Sequence, residues 1–72
     1  MIKYLLLFEL TPKTSSLVVD IKQLPNAHKL GDVFFVSNGQ DLLAWMKLVE
    51  VSLELNLATL EVIDWDFDGE QQ

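Results

Sequence analysis

The segment from position 40 to position 57 constrains the fold most, because its apolar spacing decides whether the chain contains a helix. Apolar residues recur there every three or four positions, as they do along one face of a helix. They are Leu42, Trp45, Met46, Val49, Leu53 and Leu57. No turn residue separates position 41 from Asn56, so the spacing predicts one helix from position 41 to about Leu55.

Polar residues at both ends of this segment support a helix. Ser37 and Gln40 are spaced as a capping box, in which each side chain satisfies a free backbone amide, and Asn38 with Asp41 is a second candidate pair. Asn56 suits a left-handed C-terminal cap. A competing signal is present, since residues 51–57 alternate strictly between apolar and polar as in a half-buried strand. We favour the helix, because a strand would need a break near Glu50.

Four other segments have the composition of strands, being rich in β-branched, aromatic and aliphatic residues. They are residues 2–10, 17–24, 33–36 and 59–67. The first two are predicted to form an antiparallel hairpin across the turn at 13–16, and the last to pair in parallel with an earlier strand. The prediction is a single α+β domain over residues 1–72, in the order β-β-β-α-β, with one helix packed on a mainly antiparallel sheet.

A chain of 72 residues without cysteine has no disulfide to stabilise its small core. Stability of about 3–5 kcal/mol is expected for such a domain alone, so self-association is a plausible aid. If residues 2–8 lie at a sheet edge, their free backbone groups and apolar side chains favour pairing with a second copy. We therefore predict a homodimer.

The net charge of −6 is concentrated in the second half of the chain. Residues 1–39 carry four lysines against three carboxylates, whereas residues 40–72 carry one lysine against eight carboxylates. The chain contains no arginine, and nucleic-acid binders need a basic face. Direct binding to nucleic acid or to an anionic membrane is therefore not expected.

The acidic residues of the predicted helix and last strand are the candidate partner-binding residues. They are Glu50, Glu54, Glu61, Asp64, Asp66 and Asp68. A net charge away from zero also keeps a small domain soluble, but charge this one-sided equally favours docking on a basic protein surface.

Residues 64–69 match the opening of an EF-hand calcium loop, with Asp64, Asp66 and Asp68 before Gly69. The loop requires a glutamate six positions after the glycine, and the given sequence ends at Gln72. Alternation explains the motif without a ligand, with Trp65 and Phe67 inward and the aspartates outward. We predict no metal site and no cofactor, although a divalent-metal-binding domain is an alternative.

The sequence contains no recognisable set of catalytic residues. His28 lies in a polar loop without a nucleophile pattern around it, and no glycine-rich phosphate loop is present. Trp45 and Trp65 are predicted to be core residues, or one of them an interface anchor. The N-terminal apolar run is too short for a signal peptide or a membrane span, which predicts a cytoplasmic protein. The protein is therefore predicted not to be an enzyme.

Leu24, Pro25, Asn26 and Ala27, followed by the pair Gly31 and Asp32 and then a predicted helix, faintly resemble the sequence pattern of HicB antitoxins. Asn26 replaces the usual glycine, and a predicted strand precedes the helix. The resemblance implies a small regulatory protein that neutralises another protein. Small regulatory domains of this kind are expected in phages and mobile elements. Together these features predict a non-enzymatic regulator or inhibitor that docks through an acidic helix–strand face. A nucleic-acid mimic that uses the same face is an alternative.

Overall fold

A curled sheet of five strands, best described as a half-barrel, forms the fold in the computed structural model, which describes residues 3–66. The strands are β1 (Lys3–Leu6), β2 (Ser16–Asp20), β3 (Val33–Ser37), β4 (Leu43–Ser52) and β5 (Leu57–Trp65). One 3-10 turn, Ile21–Gln23, follows β2. Strands hold 52% of the described residues, and no helix among them reaches seven residues. The predicted α+β fold with a helix packed on a sheet is therefore wrong.

Strand order across the sheet is β1-β3-β4-β5-β2. The predicted hairpin between the first two strands is wrong, because β1 and β2 lie at opposite edges. The parallel pair is β1 with β3, and the last strand is antiparallel to both β4 and β2. Two predicted strands agree with the structure in position: 33–36 with β3, and 59–67 with β5, although residue 67 lies outside the described residues.

Strand β4 occupies the segment that the apolar spacing assigned to a helix. Ala44, Met46 and Leu48 point into the core, whereas Trp45 between them lies on the opposite face. The register against β5 shifts twice, between Trp45 and Met46 and between Leu48 and Glu50. A strand that is apolar on both faces and interrupted by bulges reproduces a three-to-four spacing without being helical.

The predicted helix caps instead stabilise the turn between β3 and β4. The Ser37 hydroxyl accepts a hydrogen bond from the Gly39 amide at 2.9 Å. The Asn38 side-chain oxygen accepts two, from the amides of Gln40 at 2.8 Å and Leu42 at 3.2 Å. These residue types satisfy free amides in turns by the same chemistry as at helix ends.

The β4–β5 connection is a turn at residues 53–56. The sequence predicted the end of a helix there, with an alternating strand as the competing interpretation. Asn56 adopts the left-handed conformation expected of it, with φ of 60°, but it closes a hairpin and not a helix. Leu53 at the tip is 81% exposed. The alternation over 51–57 therefore spans the end of one strand, the turn and the start of the next.

The core lies on the inner face of the curled sheet and is closed by connecting segments. Phe34, Val36, Met46, Leu48 and Leu60 are fully buried there. Four leucines from outside the strands complete it: Leu7, Leu10, Leu24 and Leu42. The predicted first strand, 2–10, is shortened because the chain turns after Leu6 so that both Leu7 and Leu10 enter the core.

Gly31 and Asp32, which belong to the HicB-like pattern, lead into the predicted strand β3, but β3 is followed by β4 and not by a helix. The Gly31 amide donates to the Leu48 carbonyl at 2.8 Å, and the Leu48 amide donates to the Asp32 carbonyl at 2.9 Å. The pair thus begins the contact between β3 and β4. None of the described residues belongs to a helix long and apolar enough to cross a membrane.

Candidate functional site

The sheet has a second face, opposite the core, which we call the outer face. Side chains alternate along each strand, so the register places every second residue of neighbouring strands together on it. On β1, β3 and the first half of β4 this face is mostly apolar, and the last half of β5 adds carboxylates to it. It includes Tyr4, Leu6, Val33, Phe35, Leu43, Trp45, Lys47, Glu50, Thr59, Glu61 and Asp64.

A row of three aromatic side chains crosses the outer face and ends at a carboxylate. Tyr4 pairs with Phe35, Phe35 with Trp45, and Trp45 with Asp64 in the register of four adjacent strands. The ring centroids of Tyr4 and Phe35 are 6.4 Å apart, and those of Phe35 and Trp45 are 4.7 Å apart. Both pairs are tilted, as aromatic pairs prefer. Tyr4 is 57% exposed, so the row remains open to a partner.

The two flanking rows also end at carboxylates on β5 or directly after it. On one side, Val33 pairs with Lys47, which pairs with Glu61. On the other side, Leu43 accepts a hydrogen bond at its carbonyl from the Asp66 amide at 2.8 Å. Glu61 and Asp64 on β5, with Asp66 directly after it, therefore lie at the acidic end of the aromatic row. Lys47 is the nearby cation.

A bulge in β5 places Asp64 beside Trp45. Val62 pairs with Met46 and points inward, and Asp64 pairs with Trp45, so Ile63 is an extra residue between them. Without it, alternation would direct Asp64 into the core together with Val62. The same shift directs Trp65 inward, where it packs against the core. The predicted inward Trp65 and outward Asp64 are thus observed, through a bulge that alternation alone does not include.

The six acidic candidate residues do not form one cluster. Glu61, Asp64 and Asp66 are exposed and lie along β5 or directly after it. Glu50 is exposed on β4 opposite Thr59, and Glu54 is exposed in the turn at the far end of the β4–β5 hairpin. The predicted site residue Asp68, with Phe67 and Gly69 of the EF-hand-like motif, lies outside the described residues.

Sequence reasoning missed the aromatic half of this face. Tyr4 and Phe35 were read only as strand-forming residues, and Trp45 was placed on a helix. The available signal was the near-continuous apolar character of 2–8 and 33–36, which is also typical of strands buried on both faces. In the structure, one face of those strands is core and the other is this exposed surface.

Other chemistry is not evident among residues 3–66. No group of three or more histidine, aspartate or glutamate side chains there is arranged to hold a metal ion. The Asp64 carboxylate accepts a hydrogen bond from the Trp65 amide at 2.9 Å, which is a local backbone interaction. The Nδ1 atom of His28 lies 2.8 Å from the Pro25 carbonyl oxygen, within its own loop.

No protein-family model matches this chain, and neither the curated proteins nor the solved structures show a match to it. A functional assignment therefore depends on the geometry of this chain alone.

Proposed function

We propose that this protein is a non-enzymatic, cytoplasmic binding protein whose outer face docks on a partner protein with a basic surface. One observation carries the proposal: an aromatic row on the outer face, with Tyr4 exposed and Phe35 and Trp45 half-buried, leads directly to the exposed Asp64, and Glu61 lies in the neighbouring row. The predicted acidic helix–strand face is thereby replaced by an aromatic and acidic sheet face.

The two halves of the outer face contribute different kinds of interaction. Exposed aromatic side chains supply large apolar area, and such residues dominate the binding energy of protein interfaces. Carboxylates steer a basic partner toward the surface and fix its orientation. An arginine of the partner that lies over the Trp45 ring has Asp64 on the adjacent strand, about 5 Å away, so that stacking and ion pairing coincide.

If the partner needs the covered basic surface for its own activity, binding of this protein regulates or inhibits that activity. A partner whose basic surface binds nucleic acid would be blocked competitively, which is the nucleic-acid-mimic form of the same proposal. Absence of cysteine agrees with a reducing compartment.

The test uses a synthetic peptide in which arginine alternates with valine as a basic, extended probe. The same peptide with glutamate in place of arginine is the control. Backbone amide chemical shifts of the ¹⁵N-labelled protein should change at Phe35, Trp45, Glu61 and Asp64 with the arginine peptide only. Shift changes confined to other parts of the sheet, or equal changes with both peptides, would reject the outer face as the site.

Charge reversal separates a specific site from general acidity. We expect Asp64→Lys to weaken binding of the arginine peptide about tenfold or more, because it removes an attraction and adds a repulsion beside Trp45. Glu54→Lys makes the same change in net charge at the hairpin tip, roughly 20 Å along β4 from Trp45. Equal weakening by both variants would show that only net charge matters.

The host partner is then identified by affinity capture with the wild-type protein and with Asp64→Lys as the negative control. Duplex DNA added to the captured complex distinguishes the two forms of the proposal. Release of the partner by DNA supports mimicry, and retention supports docking on another basic surface.

A further inference from the structure

Strand β1 leaves one side of the sheet open. It pairs with β3 on one side, and no described strand pairs with its other side. The Leu7 amide donates to the Ser37 carbonyl at 2.8 Å, so the odd-numbered residues of this segment direct their backbone groups to β3. Because these groups alternate along a strand, the amides and carbonyls of Tyr4 and Leu6 point to the open side.

The side chains of β1 do not protect this edge. Tyr4 and Leu6 are 57% and 45% exposed on the outer face, whereas Leu5 is buried on the inner face. Proteins commonly shield an open strand with a charged lysine. Lys3 is instead paired with Asp32, with its ammonium nitrogen 3.5 Å from the carboxylate. The open edge therefore presents apolar side chains and free backbone groups together.

Charge favours a second copy of this chain at β1. The acidic strand β5 is three strands away, which is about 14 Å at ordinary strand spacing and beyond the screening length of about 8 Å at physiological salt. The Lys3–Asp32 pair is neutral as a unit. Two copies that meet at β1 therefore keep the carboxylates of β5 at the far ends of the assembly, and the exposed Glu9 lies three residues after the end of β1.

The opposite edge, β2, does not offer this separation. Val18 is 60% exposed there, with its side chain on the outer face like that of Leu6. However, β2 ends at Asp20, and Ser16 is directly opposite Glu61 of β5. Self-pairing at β2 would place the two acidic β5 strands about 14 Å apart, against about 34 Å for pairing at β1, and would put the exposed Asp20 of each copy at the seam.

We propose that two copies pair through β1 in antiparallel fashion about a twofold axis, which joins their sheets into one of ten strands. Tyr4 then faces Leu6 of the second copy, and the two exchange backbone hydrogen bonds, while Leu5 faces Leu5 of the second copy. The axis is perpendicular to the sheet, so both outer faces lie on the same side.

This arrangement makes the outer face continuous between the two copies. The aromatic row of each copy runs inward to the axis, and the carboxylates of each β5 lie at the outer ends. Few side chains per copy become buried, and the contact is below the size of most stable interfaces. We therefore expect a reversible dimer with a dissociation constant in the micromolar range, and binding of two basic segments per dimer.

Sedimentation equilibrium of the full chain over micromolar to millimolar concentration tests the dimer. Leu6→Lys should raise the dissociation constant at least about tenfold, because lysines would approach each other at the pairing edge. Val18→Lys is the matched control, because it introduces the same charge at an exposed position of the other edge, and it should leave the dimer intact. A wild-type protein that stays monomeric to millimolar concentration would overturn the proposal.

Leu6→Pro is a second variant that removes an outward amide while preserving the bonds from β1 to β3. Circular dichroism confirms that each variant is folded, and a folded Leu6→Pro protein that dimerises like the wild type would contradict the proposed edge. Loss of association in both Leu6→Lys and Val18→Lys would indicate that β1 of one copy pairs with β2 of the next. That result would also reject the proposed twofold dimer. Dimerisation should hardly depend on salt, whereas peptide binding by the outer face should weaken with salt, so the two proposals fail separately.

Discussion

At the scale of single residues, Gly39 shows how the turn between β3 and β4 shapes the surface. Its φ is +85°, in the left-handed region that glycine adopts without steric cost. A Cβ atom there would lie 2.8 Å from the Phe8 ring and 3.4 Å from the Leu6 side chain. The missing side chain thus allows Phe8, which is 73% exposed, to lie against the turn beside the outer face.

We expect Gly39→Ala to destabilise the protein more than Gly31→Ala does. Both glycines have positive φ, so each alanine costs about 1–2 kcal/mol of backbone strain. Gly31 has no atom within 4 Å of an added Cβ, whereas at Gly39 the Phe8 ring must also move. Urea unfolding measures the two losses, and adding Phe8→Ala to Gly39→Ala should remove the difference. Equal losses in the single variants would contradict the packing of Phe8 on this turn.

At the scale of elements, the hydrogen bonds of the β3–β4 connection are those of a turn before a strand and not those of a helix cap. The side chain of Asn38 accepts hydrogen bonds from two amides of the turn, and the Gln40 amide is one of them. The Gln40 side chain takes no part in these bonds. In a capping box, by contrast, the Gln40 side chain would itself be a partner.

Substitution of these two residues distinguishes a turn from a helix cap. We expect Asn38→Ala to lower the free energy of unfolding by about 1–2 kcal/mol, because two turn amides lose their acceptor. Gln40→Ala should change it by less than about 0.5 kcal/mol, as ordinary surface substitutions do. Thermal and urea unfolding of the two variants provide the comparison. A substantial loss in Gln40→Ala would favour the helical cap over the turn.

At the scale of the whole molecule, one sheet serves two environments. Its inner face and the connecting leucines supply the whole described core, while its outer face remains available for contacts. Neighbouring residues of β3 lie on opposite faces of the sheet. Phe34 is fully buried on the inner face, and Phe35 is half-buried on the outer face. Adjacent phenylalanines thus have opposite roles in stability and in binding.

We expect Phe34→Ala to unfold the domain and Phe35→Ala to leave it folded. Truncation of a buried phenylalanine costs about 3–5 kcal/mol, which is comparable to the total stability of a domain of this size. Phe35→Ala removes a partly exposed ring next to Trp45, so it should mainly weaken binding of the arginine peptide. Circular dichroism and urea titration report the first effect, and the amide-shift titration reports the second. A cooperatively folded Phe34→Ala protein would contradict the assignment of the core.

Local composition predicted those parts of the chain that depend on near neighbours. The β-branched and aromatic run before Ser37 specified β3, and the composition around Val62 specified β5, whereas the outward Asp64 depends on the bulge at Ile63. The helix caps predicted at Asn38 and Asn56 are wrong, because both residues belong to turns that flank β4. The concentration of carboxylates after position 39 is a property of the sequence and needs no tertiary structure.

Only the tertiary structure decided the identity of β4, the order of the strands and the composition of the outer face. Around Trp45, apolar residues on both sides of a bulged strand have the same spacing as a helical stripe, so local periodicity cannot separate the two. Pairing of β1 with β3 in place of β2 depends on contacts between residues distant in sequence, which local propensity does not encode. The single extra residue Ile63 then places Asp64 beside Trp45, and this register is fixed only when β4 and β5 pack over a common core.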